Sequence, residues 1–155
     1  MTDQRLMPRD PDFEARVRDS FVRQPAMAHI GATLLTVEPG HVAIRLPHAQ
    51  HNTQQHGFVH GGMVGMIGDS ACGYAAYSLM PADSSVMSVE YKINFLDPAA
   101  GDELVAHGRV RKSGRTLSVC DMEVVAVTNG VEKTIASGVV TLICLQGRSD
   151  RPKNV

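Results

Sequence analysis

Asp69 is the residue whose surroundings most need a chemical reason. It is the only carboxylate between Glu38 and Asp83, and its neighbours are Met66, Ile67, Ala71 and Cys72. An ionised carboxylate among apolar groups is costly unless it is paired or reached by water. It could act as a general base or nucleophile, or be a structural carboxylate satisfied by a backbone or serine donor. The residue alone leaves both open. Just upstream stands His60-Gly61-Gly62, where the hydropathy pattern turns helical. The first amides of a helix lack partners within it and sit at the positive end of its dipole. They can polarise a carbonyl oxygen or hold a developing oxyanion. Glycine lets a substrate approach them closely.

Both features require a helix over residues 60–79. That stretch holds Gly61, Gly62, Gly65, Gly68 and Gly73. An interior helical glycine costs roughly 1 kcal/mol against alanine, so Gly65, Gly68 and Gly73 together cost about 3 kcal/mol. Such a helix persists only if packing holds it and something comes close to its backbone. Tight packing on a sheet would suffice, and it is compatible with function. Helical spacing puts Asp69 on one face with Gly62, Gly65, Gly73 and Ala76, which predicts open space in front of it. Gly61 lies eight residues before Asp69, roughly 12 Å along a helix axis. A reacting carbonyl must lie about 3 Å from its donor. One chain therefore cannot easily supply both groups, whereas two antiparallel helices across a twofold axis could.

The remaining elements frame that helix. Residues 1–9 read as a loose tail, 10–146 as a single domain, and 147–155 as a polar tail. Asp10-Pro11-Asp12 signals a helix start, and Phe13, Val17 and Phe21 give a short amphipathic helix running out near Pro25. Strands are predicted over 32–38 and 41–46, divided by Pro39-Gly40, with a polar, histidine-rich loop over 47–59. Met87, Val89, Tyr91, Ile93 and Phe95 alternate with Ser88, Glu90, Lys92 and Asn94, a half-buried strand. Residues 103–112 and 115–127 form a hairpin, Asn129-Gly130 opens another, and a last strand runs over 131–145. The order is α+β, with one long helix for an antiparallel sheet of five to six strands to wrap. Apolar residues on both faces of the last strands (Ile135, Val139 and Ile143 against Val140, Leu142 and Cys144) suggest sheet extension into a homodimer.

Composition excludes several classes. A hydrophobic fraction of 43% supports a packed core, and a net charge of −1 gives no field for nucleic acid. No apolar run is long enough to span a membrane. Cys72, Cys120 and Cys144 are odd in number and lie in apolar segments, which fits free thiols in a reducing, cytoplasmic compartment. His48, His51, His56 and His60 match no zinc spacing, and no G-x-S-x-G is present. No metal is expected.

The segments QQHGFVHGGMVGMIGDSACGYAA and MSVEYKINFLDPAAGDELVAHGRVRKSGRT resemble the hotdog-fold acyl-CoA thioesterases of the PaaI-like and 4-hydroxybenzoyl-CoA thioesterase group, over about residues 30–145. The resemblance implies a hotdog fold, hydrolysis of a small aromatic or medium-chain acyl-CoA without a cofactor, and a homodimer or homotetramer. It casts Asp69 as general base or nucleophile and Gly61 as the amide that polarises the thioester carbonyl. Gln54 stands where many PaaI-like members carry asparagine, and the 4-hydroxybenzoyl-CoA branch carries glutamine there. Ser88 matches a serine that positions water in some relatives. His60 and Gly62 are expected against the substrate, with His60 also steadying the loop-to-helix junction. Arg109, Arg111, Lys112 and Arg115 form the densest basic segment, suited to CoA phosphates or to an ordinary solvated turn. Tyr74, Tyr77 and Met80 fit a core role or an acyl pocket. Two other functions keep the fold. One is a non-catalytic acyl-CoA-binding protein; the other is an enoyl-thioester hydratase, whose acid–base motifs do not appear.

Overall fold

A computed structural model describes residues 6–152 of the protein. Chain order is α1 (Phe13–Val22), α2 (Pro25–Ile30), β1 (Thr33–Glu38), β2 (His41–Pro47), α3 (Gly61–Tyr77), β3 (Ser84–Phe95), β4 (Glu103–Ser113), β5 (Leu117–Thr128) and β6 (Val131–Gln146). The six strands form one antiparallel sheet in the order β1-β2-β4-β5-β6-β3. The long helix α3 packs against β2, β3, β4 and β5 and buries Val64, Ile67, Ala71, Cys72, Ala75 and Tyr77 in the core. The expected α+β arrangement is present.

Local chemistry sets the element boundaries. Asn129 and Gly130 both have positive φ, 50° and 77°. The right-handed twist of a two-residue hairpin requires this, so β5 turns directly into β6. The stretch after α1 differs from expectation. Pro25 begins a second helix instead of merely ending the first. It occupies the first helical turn of α2, where its missing N–H costs nothing, and Gly31 closes α2 at φ 76°. The side chain of Asp12 does not cap α1. Asp10 accepts from the Asp12 amide at 2.9 Å and pairs with Arg16 at 2.8 Å. Arg16 then donates to the carbonyls of Tyr77, Met80 and Pro81, so α1 satisfies the C-terminal end of α3.

The glycines of α3 serve close packing. A Cβ on Gly68 would lie 2.5 Å from Met122 Sδ, and one on Gly108 of β4 would collide with the backbone of Ala71 and Cys72. Helix and sheet approach at the limit that a missing side chain allows. The strict alternation read over residues 87–95 is also broken. A bulge between Ser88 and Glu90 shifts the register of β3 against β6. As a result Ser88 reaches the helix, and so do Tyr91 and Phe95 further along the strand. β6 itself is an interior strand, hydrogen-bonded to β5 on one side and β3 on the other, so it cannot extend the sheet as expected. The open edge beside it belongs to β3.

Near the ends of the chain, Leu6 packs over Gly40, and Asp150 pairs with Arg23 at 2.7 Å. The expected tails extend further, and residues 1–5 and 153–155 lie outside the described residues.

Candidate active site

The predicted site residues fall into two groups at different positions along α3. Asp69 and Ser88 form the first. Asp69 is half-buried, so its carboxylate is neither sealed in the core nor freely solvated. The Ser88 hydroxyl donates to Asp69 Oδ1 at 2.7 Å. A serine donor thus holds the carboxylate while leaving it within reach of water. The two residues line a cavity of about 180 Å³ together with Gly73, Tyr74, Ser20 and Gln24. The expected free space in front of Asp69 lies on the Gly73 side. Over Gly65 it is filled, because a Cβ there would lie 3.1 Å from the Tyr91 hydroxyl.

Gly61 and Gln54 form the second group. His60 caps α3, its Nδ1 accepting from the Gly62 amide at 2.8 Å, while its carbonyl accepts from Met63 and Val64. Among the described residues these bonds leave the Gly61 amide without an acceptor. The capping histidine therefore singles out one donor from the helix start. Its own backbone is anchored by a bond from the His60 amide to the carbonyl of the buried Asn52, whose side chain donates to Ile30. Gln54 Oε1 accepts from the His56 amide and turns back into its own loop. Gly61, Gln54, Phe58, Phe95 and Pro98 line a second cavity of about 400 Å³. Phe95 lies over Gly61, with a ring carbon 3.1 Å from where a Cβ would stand.

The chain brings neither Arg109 nor Lys112 nor Arg115 into either cavity. Arg111 forms a bidentate pair with Asp121. Tyr74 lines the Asp69 cavity and is also buried. Its phenol is pushed upward by burial, against the lowering influence of its bond to Ser20. Tyr77 and Met80 belong to the core. The Cys72 thiol is raised by its hydrogen bond with Cys120 and by burial, which makes it a poor nucleophile. Among the described residues no three His, Cys, Asp or Glu side chains converge on a metal position. No described helix is long and apolar enough to cross a membrane.

Sequence reasoning missed Ser20, Gln24 and Asp150, which line the Asp69 cavity from α1, the α1–α2 junction and the C-terminal segment. No motif marks them, because tertiary folding alone brings them there.

A family profile described as the thioesterase superfamily matches residues 56–133, half of the chain. The solved structure of a thioesterase family protein from Silicibacter pomeroyi is 47% identical at a TM-score of 0.85, with 87% of this chain and 99% of that chain covered. A conserved protein of Pseudomonas aeruginosa is 28% identical at a TM-score of 0.74, covering 83% of this chain and 98% of that one. The acyl-coenzyme A thioesterase PaaI of Escherichia coli is 29% identical over 69% of this chain and 73% of its own length.

Proposed function

The chain belongs to the thioesterase superfamily and has the hotdog fold, and from that premise we propose that it hydrolyses a small aromatic or medium-chain acyl-CoA to the free acid and CoA. One observation carries this reading. The acid with its serine donor and the free helix-start amide with Gln54 line separate cavities served by one helix. Each is half of a thioesterase site. Pairing two α3 helices antiparallel across a dyad joins Asp69 and Ser88 of one subunit to Gly61 and Gln54 of the next.

Of the two sheet edges, β1 and β3, the β3 edge supports that pairing. β3 has one free side, and Met87, Val89, Tyr91 and Phe95 are 59%, 56%, 46% and 58% exposed along it. An uncovered apolar edge is a template for another strand. A homodimer through β3 covers it and brings Phe95, which lies over Gly61, to the interface.

In the composite site the Asp69 carboxylate takes a proton from water as the water oxygen adds to the thioester carbon. The carbonyl oxygen becomes an oxyanion held by the partner subunit's Gly61 amide, with Gln54 donating beside it. Collapse breaks the C–S bond, and the thiolate leaves with the proton from Asp69. Alternatively Asp69 attacks the thioester carbon and expels the CoA thiolate; water then adds to the mixed anhydride, releasing the free acid, restoring the Asp69 carboxylate and supplying the thiolate's proton. In a single turnover in ¹⁸O water, label in Asp69 identifies the second route, with water adding at the Asp69 carbonyl of the anhydride. Arg109, Arg111, Lys112 and Arg115 remain candidates for the CoA phosphates. Arg111 would first have to leave Asp121.

A panel of acyl-CoAs with a thiol reagent tests the activity. Asp69→Asn is expected to lose at least about 10²-fold in kcat while light scattering shows the same oligomer. Retention of most of the activity would remove Asp69 as the catalyst.

A further inference from the structure

We infer that Tyr91 is a positioning residue: its hydroxyl stands where the α3 helices of two subunits cross and sets the separation between the Gly61 amide of one and Asp69 of the other. This rests on the shared thioesterase site proposed above.

Three side chains of β3 lie on α3 at intervals of one turn. Ser88 donates to Asp69 at 2.7 Å, and the Tyr91 hydroxyl lies 3.1 Å from where a Cβ on Gly65 would stand. A ring carbon of Phe95 lies 3.1 Å from the same point on Gly61. Residues 61, 65 and 69 are four apart, so each step covers roughly 6 Å of the axis and turns by about 40°. All three therefore share one side of the helix. Placing Gly61 of one antiparallel helix beside Asp69 of the other puts the twofold axis level with Gly65, their midpoint. Whatever lies over Gly65 then lies between the helices. That group is Tyr91, which is 46% exposed although its hydroxyl rests against α3.

Gly65 has no positive φ, so its backbone does not demand glycine. Glycine is a poor helix former, and what it supplies here is room for the phenol. Two phenols at the crossing act as a spacer between the helices. Misplacing reacting groups by about 1 Å costs roughly a hundredfold in rate. A change of about half that in the spacer is therefore worth about tenfold in kcat, with KM nearly unchanged.

Two experiments test this. The chain has three tyrosines, of which Tyr74 and Tyr77 are buried at 7% and 1% exposure. Photo-oxidation of the wild-type protein with a ruthenium tris-bipyridyl complex and persulfate should therefore join two Tyr91 rings by a carbon–carbon bond. Each ring loses one electron to the oxidant and one proton to water. The product is a covalent dimer with dityrosine fluorescence, absent from Tyr91→Phe. Wild type that yields no such dimer overturns the inference, and this result decides even if a variant does not fold. The second experiment compares kcat and KM in Tyr91→Phe, Gly65→Ala and the double variant, with oligomer size from light scattering. Each single change is expected to lower kcat about tenfold. One removes the tip of the spacer, and the other pushes it, because 3.1 Å is closer than ordinary packing. In the double variant the new Cβ has Cζ of that ring as its nearest neighbour at 3.7 Å, an ordinary contact. The two changes then accommodate each other, and kcat should return to within about threefold of wild type. Gly65→Ala also introduces the best helix former, so its melting midpoint should hold or rise while kcat falls. A residue that only holds the fold together would not separate the two. Full kcat in both single variants, or losses that multiply in the double, overturns the role of Tyr91 and leaves the thioesterase reading standing. No hydrolysis of any thioester by wild type overturns that reading and this inference with it.

Discussion

Replacing Gly61 with proline deletes the amide assigned to the oxyanion and changes little else. Gly61 is the first residue of α3, where proline is favoured because its N–H would have no helical partner. His60 stands at φ −61° and ψ 137°, the extended conformation that proline requires of its predecessor. The added Cβ would lie 3.1 Å from a ring carbon of Phe95, so any crowding there is a cost that an alanine at the same position shares. Gly61→Ala brings the same Cβ and keeps the N–H, so comparing the two variants isolates the donor. Losing one oxyanion donor costs about 2.7–4 kcal/mol, or roughly 10²–10³ in kcat. Thiol release from an acyl-CoA should therefore be slower in Gly61→Pro than in Gly61→Ala by about that factor. Their melting midpoints should agree to about 4 °C, which corresponds to roughly 1 kcal/mol in a domain of this size. Equal rates in the two variants would refute the assignment of the Gly61 amide.

Other consequences can be measured separately. Ser88→Ala removes the donor to a half-exposed carboxylate, and discounting for solvent leaves about 1 kcal/mol, a fall of roughly fivefold in kcat/KM; unchanged kinetics would make Ser88 a bystander. Gly108→Ala forces a side chain into the backbone of α3 and should cost about 3 kcal/mol in urea unfolding, whereas Gly73→Ala, whose nearest neighbour is Leu142 at 3.7 Å, should gain up to about 1 kcal/mol. Equal effects would deny the close helix-to-sheet approach. Burial, with Arg109 and then His41 nearby, holds the His107 imidazole below its usual value of 6.5. The unfolded chain takes up that proton first, so the stability is fully present above about pH 6.5 and is lost as pH falls through the folded value. His107→Gln should flatten the acid dependence of the unfolding midpoint, and an unchanged slope would show that His107 does not contribute.

The parts of the fold written in local chemistry were legible in the sequence. Asn129-Gly130 can serve only a tight hairpin, the alternation over β2 marks a half-buried strand, and the glycines of α3 announce close approach. Other parts depend on contacts that no short window contains. The bulge after Ser88 turns a polar-face serine toward Asp69, and only the pairing of β3 with β6 reveals it. Pro25 marks the end of one helix and the start of another equally well, until Gly31 is seen to close α2. For the site, Asp69 and Gly61 stood out because their types conflict with their surroundings. Ser20 and Gln24 look like ordinary surface residues of short helices. Their place at the cavity depends on α1 lying against α3, where Arg16 fastens it by the carbonyl of Tyr77 at the end of that helix and those of Met80 and Pro81 just beyond it.

Mixing two inactive chains tests most directly whether each site is shared between subunits. An Asp69→Asn chain and a Gly61→Pro chain, carrying different tags and purified as the mixed dimer, contain one site with both groups intact and one with neither. If the halves meet across the dyad, the mixed dimer regains about half of the wild-type kcat, although each parent dimer is nearly inactive. If the mixed dimer is as inactive as its parents, the acid and the amide do not cooperate across the interface.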